Sequence, residues 1–183
     1  MYMGSSASAG NVIFKSGITS DGNPAGSGTE IARIQSTGGI SFNGDSAAAN
    51  ALDDYEEGNC TIRFKAEGHS TQAGSSVAKY IKIGKKVTVR VDMSGSISGL
   101  NQSSNMELTG LPFITNGVFT FPFFTRNLEA PSDTTNIVGY LPDNAYVAQI
   151  WFMPNHADYV QADVQDFHQS TNDCYWTVTY FTD

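Results

Sequence analysis

The sequence predicts an all-β protein, a jelly-roll-like β-sandwich head, with a barrel as the alternative, preceded by an extended Gly-rich arm. Three observations carry the prediction. Charged residues are 15% of the 183, well below the ~25% usual in soluble domains. The gap is filled by 18 Gly, 19 Ser and 16 Thr, while strong helix formers such as Leu, Glu, Lys and Arg are sparse. From residue 60 onward, apolar residues alternate with polar ones at the strand period of two. Before that, they come in short pieces cut by Gly, Ser, Asp and Asn.

Residues 1–51 form the expected arm. Its apolar pieces, at 12–14, 31–34 and 39–42, are each too short to make a core in one chain. Such a segment gains most by burying its apolar face against copies of itself, which suggests an oligomer; the alternative is a loose leader. Residues 22–28 read as a loop. Their glycine spacing, with no Lys after the last Gly, argues against a phosphate-binding turn. Residues 1–10 lack a basic stretch followed by an apolar one, so no signal peptide and no secretion are expected. Residues 47–52 are the best helix candidate, with Ser46 as cap and Asn50 and the following acids limiting it to a turn or two. The arm is expected to end there, and the head to span residues 52–183.

In the head, Cys60, Ile62 and Phe64 alternate with Thr61, Arg63 and Lys65, predicting the first strand. Residues 77–83, with Tyr80 as aromatic anchor and Ile83 at the end, pair through the tight turn Gly84-Lys85 with the alternating valines 87, 89 and 91. Residues 94–104 read as a polar loop and 106–108 as a short strand. Residues 118–124 are strongly aromatic, but Pro122 should restrict them to a sheet edge or a bulge. Residues 146–152 are apolar but for Gln149, and read as a strand covered on both faces. Residues 174–181 carry aromatics on both faces, and both are expected to be covered.

Within this pattern, the stretch Leu52-Asp53-Asp54-Tyr55-Glu56-Glu57-Gly58 resembles the acidic signature that opens a domain common in tail fibre and tail spike proteins of tailed bacteriophages. The preceding segments 39–45 and 47–51 resemble what comes before that signature. Residues 79–87 are similar to the family's hairpin, and Gly110-Leu111-Pro112-Phe113 to a short step that follows it. The resemblance covers most of residues 39–183. It departs just after the signature, where Asn59-Cys60-Thr61-Ile62 replaces the usual Thr-Trp-Thr-Pro. It implies a homotrimeric, β-rich protein on the virion surface, assembled in the host cytoplasm. The signature has a physical reading too. Gly58 would let the chain turn from arm to sheet, and Leu52 and Tyr55, three apart on a helical turn, would pack at the base of the head. Leu52, Tyr55, Gly58, Tyr80, Ile83 and Gly84 are therefore the structural and interface candidates.

Chemistry-bearing constellations are few. Ten basic and 18 acidic residues give a net charge of −8, which disfavours binding to nucleic acid. No apolar run approaches the ~20 residues of a membrane span. Cys60 and Cys174 leave a pair and two free thiols open, and their alternating surroundings favour buried free thiols. His69, His156 and His168 have no His or Cys at metal-ligand spacing. His168 near Asp163 and Asp166 reads as a solvated loop before a cation site, and the acids 53–57 lack the ligand alternation of a calcium loop. No nucleophile elbow is present. Neither an enzymatic activity nor a cofactor is expected.

Two functions remain. The first is a trimeric tail-fibre-like module binding a host-surface glycan. The aromatic run with Phe119, Phe121, Phe123 and Phe124 suggests packing in the first place. Its sharper reading is an exposed rim of Phe121 and Phe123 that stacks on sugars, with Asn101 and Asn105 of the polar loop supplying hydrogen bonds. The second is a capsid decoration or cement protein whose arm lies over neighbouring capsid subunits. A natural start at Met1 would favour it, because a long fibre would need a larger attachment domain. Partners are then further copies of the chain, other virion proteins and the glycan.

Overall fold

The computed structural model describes residues 10–17, 27–48, 51–155 and 157–183. Most of the loop expected at 22–28, part of the helix expected at 47–52, and His156 lie outside the described residues. The Ala51 N–H donates to the Ala48 carbonyl at 3.1 Å, and Leu52 forms an antiparallel bridge with Ile40. The chain divides into two compact units, residues 1–55 and 56–183.

In the first unit, the three apolar pieces of the arm become β1 (Val12–Ser16), β2 (Thr29–Ile34) and β3 (Ile40–Phe42). They form an antiparallel meander in the order β1-β2-β3. An arm that was expected to be merely extended thus carries its own sheet.

The second unit carries β4 (Tyr55–Ala66), β5 (Gln72–Ile83), β6 (Lys86–Gly95), β7 (Met106–Thr109), β8 (Phe119–Arg126), β9 (Thr134–Leu141), β10 (Val147–Pro154), β11 (Val160–Gln161) and β12 (Asn172–Phe181). Eight of these strands close into a barrel in the order β4-β5-β6-β12-β8-β9-β10-β7, with β7 returning to β4. This barrel replaces the jelly-roll-like sandwich expected from the sequence. Strand β10 is the reason. It pairs with β9 over Gln149–Pro154 and with β7 over Val147–Gln149, joining what would have been two separate sheets. The short β11 continues the β7 side of β10, opposite Trp151 and Phe152.

Alternation fills the interior with side chains, as a barrel of this strand number requires. Ile62 and Phe64 come from β4, Val87 to Met93 from β6, Phe121 and Phe123 from β8, Ile150 and Phe152 from β10, and Trp176 to Tyr180 from β12. Gly139 of β9 lies under Phe121, where a Cβ would sit 2.1 Å from the ring. Cys174 is a buried free thiol and Cys60 a half-buried one.

Strand β8 is not an edge strand, contrary to the expectation drawn from Pro122. Its first half, Phe119 to Pro122, pairs with β9, and its second half, Phe123 to Arg126, pairs with β12. Pro122 stands at the handover, where a missing N–H costs least. The expectation that both faces of β12 are covered also fails. Its inner face is buried, but Tyr175 and Phe181 on the outer face are exposed.

Candidate functional site

Two surfaces stand out, one on each unit. On the second unit, the outer wall of β8, β9 and β10 forms a groove of 620 Å³. Strand register builds its floor. Thr120, Tyr140 and Gln149 face one another across the three strands as one outward row, and Pro122, Val138 and Trp151 form the next. Met153 extends the floor, and Pro142 and Tyr159 complete the walls. Trp151 meets Tyr140 edge-to-face at 6.1 Å and Tyr159 at 5.2 Å. Tyr159 is 65% exposed and offers an open ring.

None of the described lining residues is charged. The outward row continues past Gln149 to Glu107, which pairs with Lys65 at 2.9 Å, so the nearest charges on that side neutralise each other. The side chains of Thr120, Tyr140, Gln149 and Tyr159 make no hydrogen bond to other described residues. The groove is therefore aromatic, uncharged and furnished with uncommitted polar groups.

On the first unit, cross-strand pairing puts Val12, Ile34, Ile40 and Leu52 in one row and Phe14, Ala32 and Phe42 in the next. Directly opposed residues and residues two apart share a face, so all seven apolar side chains lie on one side of the sheet. Phe14, Ile34, Ile40, Phe42 and Leu52 are exposed, Phe42 to 54% and Leu52 to 49%. Leaving such a face in water is unfavourable by ~25 cal/mol for each Å² of apolar area that a partner would cover.

The residues singled out from the sequence fall in different places. Phe121 and Phe123 are 4% and 8% exposed and point into the barrel, with Phe121 against Trp176 at 4.8 Å. They form no exposed rim. Alternation puts every second residue of a barrel strand inside, and only Phe124 of the four is strongly exposed, beside Tyr175 at 6.0 Å. Asn101 and Asn105 lie in the polar loop after β6. Asn101 meets His69 at 3.1 Å, and the Asn105 amide donates to Glu67 at 2.7 Å. Both are occupied locally.

Gly58 does not turn the chain; it lies inside β4. Its lack of a side chain serves Tyr80 instead, whose hydroxyl would sit 2.8 Å from an added Cβ. That hydroxyl donates to Glu56, so Tyr80 is tied to the acidic signature. Tyr80 also meets Phe113 edge-to-face at 5.4 Å. Gly84 takes a φ of +56° in the two-residue β5–β6 loop closed by Ile83 and Lys86, as the sequence anticipated. Ile83 and Tyr55 are exposed.

His168 is held by Ser170 at 3.0 Å. Asp166 accepts from the Asp163 backbone at 2.8 Å, and burial raises its pKa. Among the described residues, no cluster of three or more His, Cys, Asp or Glu is placed to hold a metal ion. The aromatic groove was missed from the sequence because its central strand is β9, whose Thr-Thr-Asn-Ile-Val-Gly-Tyr-Leu has no clean alternation. Three aromatics at 140, 151 and 159 were the available signal.

No protein-family model matches the chain, and no curated protein matches it.

Proposed function

We propose that the chain is a non-catalytic structural protein of a tailed-phage virion, a homotrimeric, tail-fibre-like module on the particle surface that binds a host-surface glycan. The observation that carries this reading is the apolar face of the N-terminal sheet, seven residues from Val12 to Leu52 on one side. A face of this kind calls for a partner, and a second and third copy of the same chain supply the same surface in a closed assembly. The resemblance of residues 52–58 to the virion signature, immediately after that face, points the same way. The uncharged aromatic groove suits a sugar ligand.

A head decoration protein is the second reading, favoured by the separate compact unit ahead of the barrel, which suits an arm lying over capsid neighbours. Sedimentation equilibrium of the full chain is expected to give three chains, and a monomer would overturn both readings. Quantitative mass spectrometry of purified particles separates them. A few to a few dozen copies indicate the tail, and hundreds indicate the head.

A further inference from the structure

Grooves that hold small ligands are commonly ~300–1,000 Å³, mostly apolar, with a few polar groups that fix orientation. The groove across β8, β9 and β10, at 620 Å³, has that size and that lining. We infer that it is a saccharide site and that its ligand is a neutral hexopyranose unit. The inference deepens the glycan-binding part of the proposed function and rests on it.

The chemistry selects this ligand class in three steps. A pyranose ring has one apolar face of C–H groups and a rim of hydroxyls. The exposed ring of Tyr159, braced edge-to-face by Trp151, offers a surface for the first. Thr120, Gln149 and the phenols of Tyr140 and Tyr159 offer uncommitted donors and acceptors for the second.

Charge selects next. The described lining holds no charged side chain, the adjacent Lys65–Glu107 pair is self-neutralised, and the chain carries −8 overall. A sialic or uronic acid would meet a repulsive field and find no counter-ion. Backbone geometry excludes a peptide bound by strand addition. An extended peptide recognises an open sheet edge through main-chain hydrogen bonds. Here β9, the central strand of the floor, is already paired with β8 and β10 on its two sides. Only side chains are available to the ligand.

The sequence provides a built-in reporter. Of its two tryptophans, Trp151 lines the groove and Trp176 is sealed inside the barrel. The test titrates the full-length protein with the methyl glycosides of glucose, galactose, mannose and N-acetylglucosamine, and separately with sialic acid, following tryptophan emission. At least one neutral glycoside is expected to shift the emission saturably, and sialic acid is expected to leave it unchanged. Tyr159→Ala, at an exposed loop position, is expected to weaken binding roughly tenfold, about the effect of removing one good aromatic contact. Gln149→Ala should weaken it as well, with circular dichroism unchanged in both variants.

The inference is overturned if no neutral glycoside changes the emission, if Tyr159→Ala binds as tightly as the parent, or if sialic acid is preferred. It is also overturned if Tyr159→Ala alters the sedimenting mass while sugar binding is unchanged, because the groove would then be a subunit face. Sedimentation of the same samples keeps the two ideas apart. A trimer without any glycoside response removes the groove assignment alone. A monomer that responds removes the virion reading and leaves the groove.

Discussion

Gly139 carries more structural weight than its size suggests. Phe121 Cε2 lies 2.1 Å from where its Cβ would be, and Phe121 is held in turn against Trp176. Gly139→Ala must therefore displace a packed interior ring, and overpacking of this kind costs about 2–3 kcal/mol. Urea denaturation is expected to show that loss. Gly58→Ala is expected to cost less, because the opposing Tyr80 atoms lie 2.8–3.0 Å from the added Cβ, farther than Phe121 from that of Gly139. Equal losses at the two sites would contradict the packing described.

Cys174 makes a pH-dependent prediction. Burial pushes its thiol from an ordinary 9.0 up to about 12, against a smaller opposing effect of the Thr125 hydroxyl at 3.7 Å. The folded state thus holds the proton more tightly than the unfolded state. Its contribution to stability is complete below the ordinary thiol pKa and is lost as pH rises toward 12. Alkylation at pH 8 followed by mass spectrometry is expected to leave Cys174 unmodified in the native protein, while the half-buried Cys60 reacts slowly. Rapid labelling of Cys174 would show that the barrel interior opens.

At the scale of elements, the two faces of the N-terminal sheet differ in consequence. Phe42 lies on the apolar face and is largely exposed in a single chain. Phe42→Ser should scarcely alter that chain, yet it should weaken an assembly built on the face. The expected result is a parental trimer and a variant that sediments as one chain at the same concentration. A variant that remains trimeric would mean that the sheet face is not the subunit contact.

Elements also divide by how far the sequence exposes them. The β5–β6 hairpin was legible because alternation and Gly84-Lys85 are both local signals. The pieces that became β1, β2 and β3 were legible as apolar runs, although their mutual pairing was not. β9 was missed because Asn136 and Gly139 break its pattern, and Gly139 is present for a contact with Phe121, eighteen positions earlier. Sandwich and barrel share one alternation, and only the pairings of β10 with β7 and β9 separate them. Phe121 and Phe123 were misjudged as candidate surface residues for a related reason, since composition does not say which alternate face turns inward.

For the whole molecule, the buried apolar residues among those described begin at Ile62 and run to Tyr180. None comes from the N-terminal unit. Deleting residues 1–51 is therefore expected to leave a barrel that still unfolds in one cooperative transition. The same truncation should lose the trimer and bind particles more weakly. Rebinding at full strength would contradict the role given to the sheet, and loss of the cooperative transition would show that the barrel depends on it.

The position of β12 has a further consequence, for biosynthesis. Residues 172–181 are inserted between residues 86–95 and 119–126. A nascent chain therefore cannot complete its hydrogen-bonded circuit until Phe181 has been made. Every product that stops earlier leaves β6 and part of β8 with raw borders, the surfaces through which β proteins stick to one another. Products truncated late in the message are therefore expected to aggregate rather than to fold.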